Sequence, residues 1–170
     1  AQQYFVLGIG GTGMRCIESL IHLCAMGMFD DTDIHLLALD TDKDNGNFAR
    51  LKEVKEAYVK AKGTDASLRT ALNETFFSAN INYYEFSPNY EVKSDFMSVF
   101  NYGDTKFNNP EQTAIADLVL TKNVETFNLR HGYRAQTHLG SMMMYHSILE
   151  AARSNKNSEL KLINIYNILV

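Results

Sequence analysis

The stretch "VLGIGGTGMRC" occupies residues 6–16 and places four glycines within residues 8–13. An apolar run at residues 4–7, rich in aromatic and β-branched side chains, precedes the glycines and predicts a buried strand. After them, apolar residues recur at helical spacing, which predicts a helix over residues 13–26 with Gly27 as its C-terminal stop. The sequence therefore predicts a strand, a glycine-rich corner and a helix in immediate succession.

A second strand is predicted where the sequence reads "IHLLAL" at residues 34–39, and it stops at Asp40-Thr41-Asp42. Two apolar strands joined by an amphipathic helix form a βαβ unit, whose strands are parallel and whose crossover is right-handed. In such sheets, ligands bind beyond the carboxyl ends of the strands. The glycines and the aspartates both fall at that end, so we expect the functional site there.

The rest of the chain predicts further elements from less regular patterns. In chain order we expect a helix over residues 48–63, a strand over 81–86, a short helix from Ser94, a helix over 109–129, a polar loop over 130–140, a second helix and a strand over 160–170. The helix after the polar loop has one apolar face, formed by Leu139, Met142, Met143, His146 and Leu149.

Composition restricts the class of protein. The 170 residues are 45% hydrophobic and 21% charged, which suits one globular domain or part of a larger one. The net charge of -4 gives no general attraction to nucleic acid or to an anionic membrane, and we expect neither as a partner. No apolar run approaches the roughly 20 residues of a membrane span. Cys16 and Cys24 lie about 12 Å apart along the predicted helix axis, so we expect two unbridged core thiols in a reducing, cytoplasmic compartment.

The glycine-rich corner has a plain physical use. A helix N-terminus leaves backbone N–H groups unpaired and carries partial positive charge, so a strand-glycine-helix corner is a ready anion site. Each hydrogen bond to a charged phosphate oxygen contributes roughly 1.5 to 3 kcal/mol. The pattern Gly8-x-Gly10-x-x-Gly13 also fits a tight turn that binds no ligand.

Other classes of nucleotide-binding protein share this pattern. In a Rossmann dinucleotide-binding unit, an acid roughly 20 residues beyond the glycines binds the ribose hydroxyls, and Asp40 stands somewhat further away. Adenylating enzymes of the ubiquitin-activating type also place a glycine corner before an Asp-x-Asp, which Asp40 and Asp42 supply. Those enzymes usually carry CxxC zinc pairs, and this sequence has none. A degenerate domain that binds a nucleotide or a partner without turnover is a further alternative.

Three stretches together resemble the tubulin and FtsZ family of GTPases. "GIGGTGMRCI" at residues 8–17 is similar to the family's first phosphate loop, and "LLALDTDKDN" at residues 36–45 is similar to its second strand and the loop that follows. "GYRAQTHLGSMMMYHSILEAAR" at residues 132–153 resembles the segment in which a loop turns toward the terminal phosphate and opens a helix. The closest likeness is to the bacterial tubulin-like branch. The resemblance implies an α/β fold with a Rossmann-like parallel sheet flanked by helices.

The resemblance also implies a ligand, which is GTP or GDP at the carboxyl ends of the strands, with Mg²⁺ as a candidate companion ion. Carried over position by position, it assigns the phosphate cradle to Gly10, Gly11, Thr12 and Gly13. It places Thr41 and Asp42 near the ribose or the metal.

The third loop and one helix residue complete the implied nucleotide site. The resemblance directs Arg134, Ala135 and Gln136 toward the terminal phosphate. Arg15 departs from the family, since FtsZ has small or amide side chains at that position. Arg134 is a second departure, because it brings a positive charge into a loop that FtsZ leaves uncharged.

Two functional elements of the family have no counterpart in this sequence. They are the GGGTGTG loop that grips the phosphates after the next strand and the acidic loop that a neighbouring subunit inserts to promote hydrolysis. We therefore expect residues 1–170 to be the N-terminal part of a tubulin/FtsZ-like nucleotide-binding domain, and we assign no catalytic residue. GTP hydrolysis is expected to be very slow or absent. Homo-oligomers or filaments are implied by the resemblance alone.

Overall fold

The computed structural model describes residues 2–68, 76–88, 114, 117–118, 128–133 and 136–154. The chain divides into two compact units, Ala1–Ser87 and Pro88–Val170. The first unit is an α/β structure built on a parallel sheet, as the sequence predicts. Over the described parts of both units, no helix is long and apolar enough to cross a membrane.

The sheet of the first unit has three parallel strands in the order β1-β2-β3, which are β1 (Gln2–Ile9), β2 (Thr32–Leu39) and β3 (Asn80–Phe86). The three predicted strands are confirmed, although each is longer than its apolar run. In the register, Ile9 is paired with Leu39 and Leu39 with Phe86. The carboxyl ends of all three strands therefore lie at one edge of the sheet.

Helix α1 spans Gly10–Ala25 and follows β1 without an intervening loop. The predicted start at residue 13 was wrong by three residues, because Gly10 has a φ of +66° and reverses the chain in a single step. The predicted stop is confirmed. Gly27 has a φ of 83°, and its N–H donates to the carbonyl oxygen of Cys24 while that of Met28 donates to Leu23, both at 3.1 Å.

Helix α2 spans Asn47–Leu68 and continues past Gly63, where the sequence predicted its end. A Cβ on Gly63 would meet nothing within 4 Å, so this glycine marks no close contact. Glycine inside a helix costs roughly 0.5–1 kcal/mol relative to alanine. That cost is too small to stop a helix whose other residues pack on the sheet.

Both helices pack on the same face of the sheet, because the core contains alternate residues of the three strands. The core cluster and its partly buried neighbours include Val6, Met14, Ile17, Ile21, Cys24, Ile34, Leu36, Ala38, Phe48, Leu51, Tyr58, Ile81 and Tyr83. Cys24 is buried, as predicted. The prediction of a core thiol is wrong for Cys16, which is exposed because it lies on the solvent side of α1.

In the second unit, the structure describes a 3₁₀ turn, Leu129–His131, and helix α3, Thr137–Ser154. The predicted polar loop is therefore shorter than residues 130–140. Among the apolar residues predicted for one face of α3, Leu139 and Met143 are fully buried. The predicted elements at residues 94, 109–129 and 160–170 lie outside the described residues, apart from positions 114, 117 and 118, which are helical, and 128–129. The predicted helix end at residue 129 is wrong, because Asn128 is extended and caps the 3₁₀ turn that begins at Leu129. The side chain of Leu149 also lies outside them.

Candidate functional site

Two of the four glycines bring α1 into direct contact with β1. A Cβ on Gly13 would stand 2.7 Å from the carbonyl carbon of Gly8. A Cβ on Gly8 would stand 2.9 Å from the carbonyl oxygen of Gly13 and would collide with Cδ1 of Ile17. No side chain fits at either position, so the start of α1 is held against the end of the first strand. These two glycines serve packing.

The other two glycines form the turn into the helix. Gly10 has a positive φ, and a Cβ on it would meet nothing within 4 Å, so open space lies in front of this residue. A Cβ on Gly11 would stand 3.0 Å from Nδ2 of Asn47. Gly11 therefore faces the start of α2, and its small size leaves room for a neighbouring side chain.

The first turn of α1 carries backbone donors that have no acceptor. Its N-cap residue, Ile9, has no side chain that can cap the helix, and the first turn contains no acid. Within the described chain, no side-chain or loop oxygen accepts the N–H groups of Gly11 or Thr12, which precede the first hydrogen bond within the helix. Unpaired N–H groups at a helix start carry partial positive charge. Donors and charge therefore face the open space beside Gly10.

The acidic segment after β2 is organised by its own side chains. Oδ1 of Asp40 accepts from the N–H of Asp42 at 3.2 Å, and its Oδ2 accepts from Nδ2 of Asn45 at 3.4 Å. Oδ1 of Asp42 accepts from the N–H groups of Asp44 and Asn45, at 3.0 and 3.1 Å. Oδ1 of Asn45 accepts from the N–H of Asn47 at 3.0 Å. These side chains shape the loop and cap α2, a role that the sequence analysis did not assign.

Two buried hydroxyls at the same edge of the sheet lack hydrogen bonds. Thr41, two residues beyond β2, is 5% exposed, and its Oγ1 has no partner within residues 2–68 and 76–88. Ser87 follows β3 directly, and its Oγ is likewise buried and unpartnered. A buried hydroxyl without a partner costs roughly 1–3 kcal/mol. Such groups at a carboxyl edge are typical of a site that a polar ligand completes.

The described acids offer little to a metal ion on their own. Over the described residues, no group of three His, Cys, Asp or Glu side chains is placed to hold one. Of Asp40 and Asp42, only Asp42 keeps a carboxylate oxygen outside the hydrogen bonds of the loop. One carboxylate together with phosphate oxygens is a common set for Mg²⁺. The residues therefore fit Mg²⁺ as a companion of a bound phosphate and not as an independent centre.

The structure brings together six of the predicted site residues, namely Gly10, Gly11, Thr12 and Gly13 on α1 and Thr41 and Asp42 on the adjoining loop. Arg15 lies further along α1 and is exposed.

The predicted third loop belongs to the second unit. Arg134 and Ala135 lie outside the described residues. Gln136 precedes α3, donates its N–H to the carbonyl oxygen of Tyr133 at 2.8 Å and accepts from the N–H of Gly140 at 2.9 Å. The role of this loop at the terminal phosphate stays a prediction.

Comparison with known proteins finds no family model, no curated protein and no solved structure that matches this chain. The fold belongs to the α/β class, with helices packed on a three-stranded parallel sheet. This arrangement is compatible with a Rossmann-like fold. The likeness to the tubulin and FtsZ family rests on the three sequence stretches and belongs with the proposals below.

Proposed function

We propose that this chain binds a nucleotide, GTP or GDP, with its phosphates on the first turn of α1. The observation that carries the proposal is the uncapped start of α1, whose N–H groups face open space beside Gly10. A phosphate oxygen there accepts several backbone hydrogen bonds and meets the positive end of the helix dipole. The orphan hydroxyl of Thr41, on the adjoining loop, gives the site a further polar group.

The guanine base and the tubulin-like class are supported by the order of the three motifs. One glycine pattern is common to many nucleotide-binding proteins, whereas three similar loops in the same order are far more specific. On this proposal Asp42 lies on the ribose or metal side, and Arg134, Ala135 and Gln136 approach the terminal phosphate. Filament assembly is the further property that the resemblance implies for the chain.

Hydrolysis of GTP by this chain is proposed to be very slow or absent. Phosphoryl transfer needs a positioned terminal phosphate, neutralised charge and an oriented water. The sequence contains no second glycine loop. It also lacks the acidic loop that orients the attacking water in the resembled family. The proposal is therefore nucleotide binding without appreciable turnover.

One observation weighs against a dinucleotide-binding function. A Rossmann unit of that kind uses an acid after the second strand to hold the ribose hydroxyls. Asp40 is the acid at that position, and both of its carboxylate oxygens accept hydrogen bonds from its own loop. Since these bonds hold the carboxylate to its own loop and use part of its accepting capacity, we favour the mononucleotide.

A pair of charge substitutions on α1 tests the proposal. Thr12 is exposed in the first turn, so Thr12→Asp puts a negative charge where the phosphate is proposed to bind. The same charge suits the helix dipole, so the fold should be retained. Ser19→Asp places a matched charge on an exposed position further along the same helix.

We expect Thr12→Asp to weaken GTP binding in calorimetry by at least tenfold and Ser19→Asp to leave it within about twofold. Circular dichroism and thermal unfolding check that both variants fold. Equal GTP affinity in the wild type and in Thr12→Asp would contradict a phosphate site on α1.

A further inference from the structure

Asn47 brings the start of α2 against the start of α1. It is the first residue of α2, and its Nδ2 lies 3.0 Å from the point that a Cβ on Gly11 would occupy. The main-chain N–H of Asn47 donates to Oδ1 of Asn45. No described group accepts from the side-chain amide of Asn47. Two amide hydrogens are therefore available beside the unpaired N–H groups of α1.

The electrostatics of this contact favour an anion. Helix α1 has 16 residues and α2 has 22, and both present a positive end at the same place. Neither first turn contains an acid. The carboxylates of Asp40 and Asp42 accept hydrogen bonds from their own loop. Two converging positive helix ends repel each other, and a bound anion that touches both relieves the repulsion.

A second, independent group in this region also lacks a partner. Thr41 lies on the segment that joins β2 to α2, directly beyond the register pair of Ile9 and Leu39. Its hydroxyl is buried, with the residue 5% exposed, and no described atom bonds to it. The segment that connects the two helix starts in the sequence therefore contains a hydroxyl without a hydrogen-bond partner. A polar ligand at this place would supply that partner.

We infer that Asn47 is a specificity-determining residue of the phosphate site, with its side-chain amide donating to a second phosphoryl group. The inference rests on the proposed function. The first turn of α1 holds one phosphoryl group, and the amide of Asn47 holds the next one along the anhydride chain. The site therefore selects nucleoside diphosphates and triphosphates over monophosphates.

Two substitutions at Asn47 distinguish the loss of its hydrogen-bond donor from the introduction of a negative charge. Asn47→Ala removes only the amide donor. Asn47→Asp replaces the donor with a carboxylate that can itself accept from the N–H groups of α1, as a bound phosphate does. Ala49→Asp is the matched charge control, because Ala49 is exposed in the first turn of the same helix.

The experiment is titration of GDP, GMP and inorganic pyrophosphate into the wild type and the three variants. We expect the wild type to bind GDP at least tenfold more tightly than GMP. In Asn47→Ala the ratio of GDP affinity to GMP affinity should fall most of the way to one. The fall should come from weaker GDP binding, with GMP affinity within about twofold of the wild type. Asn47→Asp should lose pyrophosphate binding while its thermal midpoint stays the same or rises. Ala49→Asp should keep the ratio.

The outcomes distinguish this inference from the proposal beneath it. An unchanged ratio of GDP to GMP affinity in Asn47→Ala would overturn the role of Asn47 and leave nucleotide binding intact. Equal losses in Ala49→Asp and Asn47→Asp would overturn it too, since general charge repulsion then explains both. A folded wild type that binds neither GDP nor pyrophosphate would overturn the proposed function itself.

Discussion

The two ends of the sheet in the first unit satisfy their polar groups very differently. At the amino end, Nζ of Lys62 donates to the carbonyl oxygens of Ser78 and Ala79, at 2.8 and 2.9 Å, and to Oδ1 of Asn80 at 2.8 Å. The hydroxyl of Tyr58 donates to the carbonyl oxygen of Ala79 at 2.7 Å. These bonds tie α2 to the start of β3.

At the carboxyl end, the N–H groups that open α1 and the hydroxyls of Thr41 and Ser87 have no partner among the described residues. Among the described residues, the named polar groups at the amino end are therefore hydrogen-bonded within the protein, and those at the carboxyl end are not. Because unsatisfied buried groups cost stability, we infer that the first end maintains the fold and the second is kept for binding. The predictions below change one end at a time.

The largest effect is expected where α1 meets β1. Gly13→Ala places a Cβ 2.7 Å from a backbone atom of Gly8, which cannot move aside without displacing the strand. Overpacking of this kind costs about 1–3 kcal/mol, and we expect the upper part of that range in urea denaturation. Gly63→Ala is the control, since its Cβ meets nothing and alanine favours helix by about 0.5–1 kcal/mol. Equal stability of Gly13→Ala and wild type would refute the close contact.

The next effect tests the amino end. Lys62→Met removes the ammonium that three acceptors share, and loss of charged hydrogen bonds should lower the free energy of unfolding by about 2 kcal/mol. GTP affinity should be unchanged, because the substitution lies at the end remote from α1's start. Lys60→Met, at an exposed position of the same helix, should alter neither quantity. A loss of GTP affinity in Lys62→Met without unfolding would contradict the separation of roles.

Two buried threonines at opposite ends of β2 give the most closely matched comparison. Thr32 is 4% exposed and its Oγ1 donates to the carbonyl oxygen of Asp30 at 2.8 Å, whereas Thr41 is 5% exposed and its Oγ1 is unpartnered. Thr32→Val should therefore destabilise the fold by about 1 kcal/mol. Thr41→Val should stabilise the free protein by a similar amount and weaken GTP binding. Destabilisation by both substitutions would show that Thr41 has a hydrogen bond in solution.

The smallest effect concerns the ion pair between the two helices. Arg50 donates to both carboxylate oxygens of Glu18, the shortest contact being 2.7 Å, and this hydrogen bond lowers the pKa of Glu18 below its ordinary value of 4.5. A lowered pKa in the folded state means that the pair stabilises the fold above pH 4.5 and loses this contribution as pH falls through the lowered pKa. The difference in thermal midpoint between wild type and Glu18→Gln should shrink over that range.

A carboxyl titration followed by NMR provides the direct check on this pair. Arg50→Gln should raise the pKa of Glu18 toward 4.5, and Arg15→Gln should leave most of the shift, because Arg15 contributes less than Arg50. An unchanged pKa in Arg50→Gln would place the cause elsewhere. Arg50→Gln should not alter GTP affinity by more than about twofold, since exposed ion pairs contribute little.

The strand-glycine-helix unit could be predicted because hydrophobic periodicity and glycine spacing are local signals. The start of α1 could not, since the positive φ of Gly10 is a backbone property that leaves the apolar pattern unchanged. The exposure of Cys16 was missed because a lone sulfur on a helix does not reveal its face.

Sequence reasoning selected residues at the carboxyl end of the sheet but not all of their interactions. Thr41 and Asp42 were selected, yet the use of Asp42 as an acceptor for its own loop depends on a turn that the sequence does not specify. Asn47 and Ser87 were missed because one is defined by contact between two helices and the other by a buried hydroxyl at a strand end. Such groupings arise only when distant segments fold together.

The central claim is that the carboxyl end of this sheet is a site for a guanine nucleotide. Calorimetric titration of GTP, ATP and NAD into the same sample at one ionic strength tests it most directly, with Ser19→Asp and Thr12→Asp measured in parallel. The account predicts saturable GTP binding that Thr12→Asp removes, weaker ATP binding and no NAD signal. Tight binding of NAD with no response to GTP would contradict it.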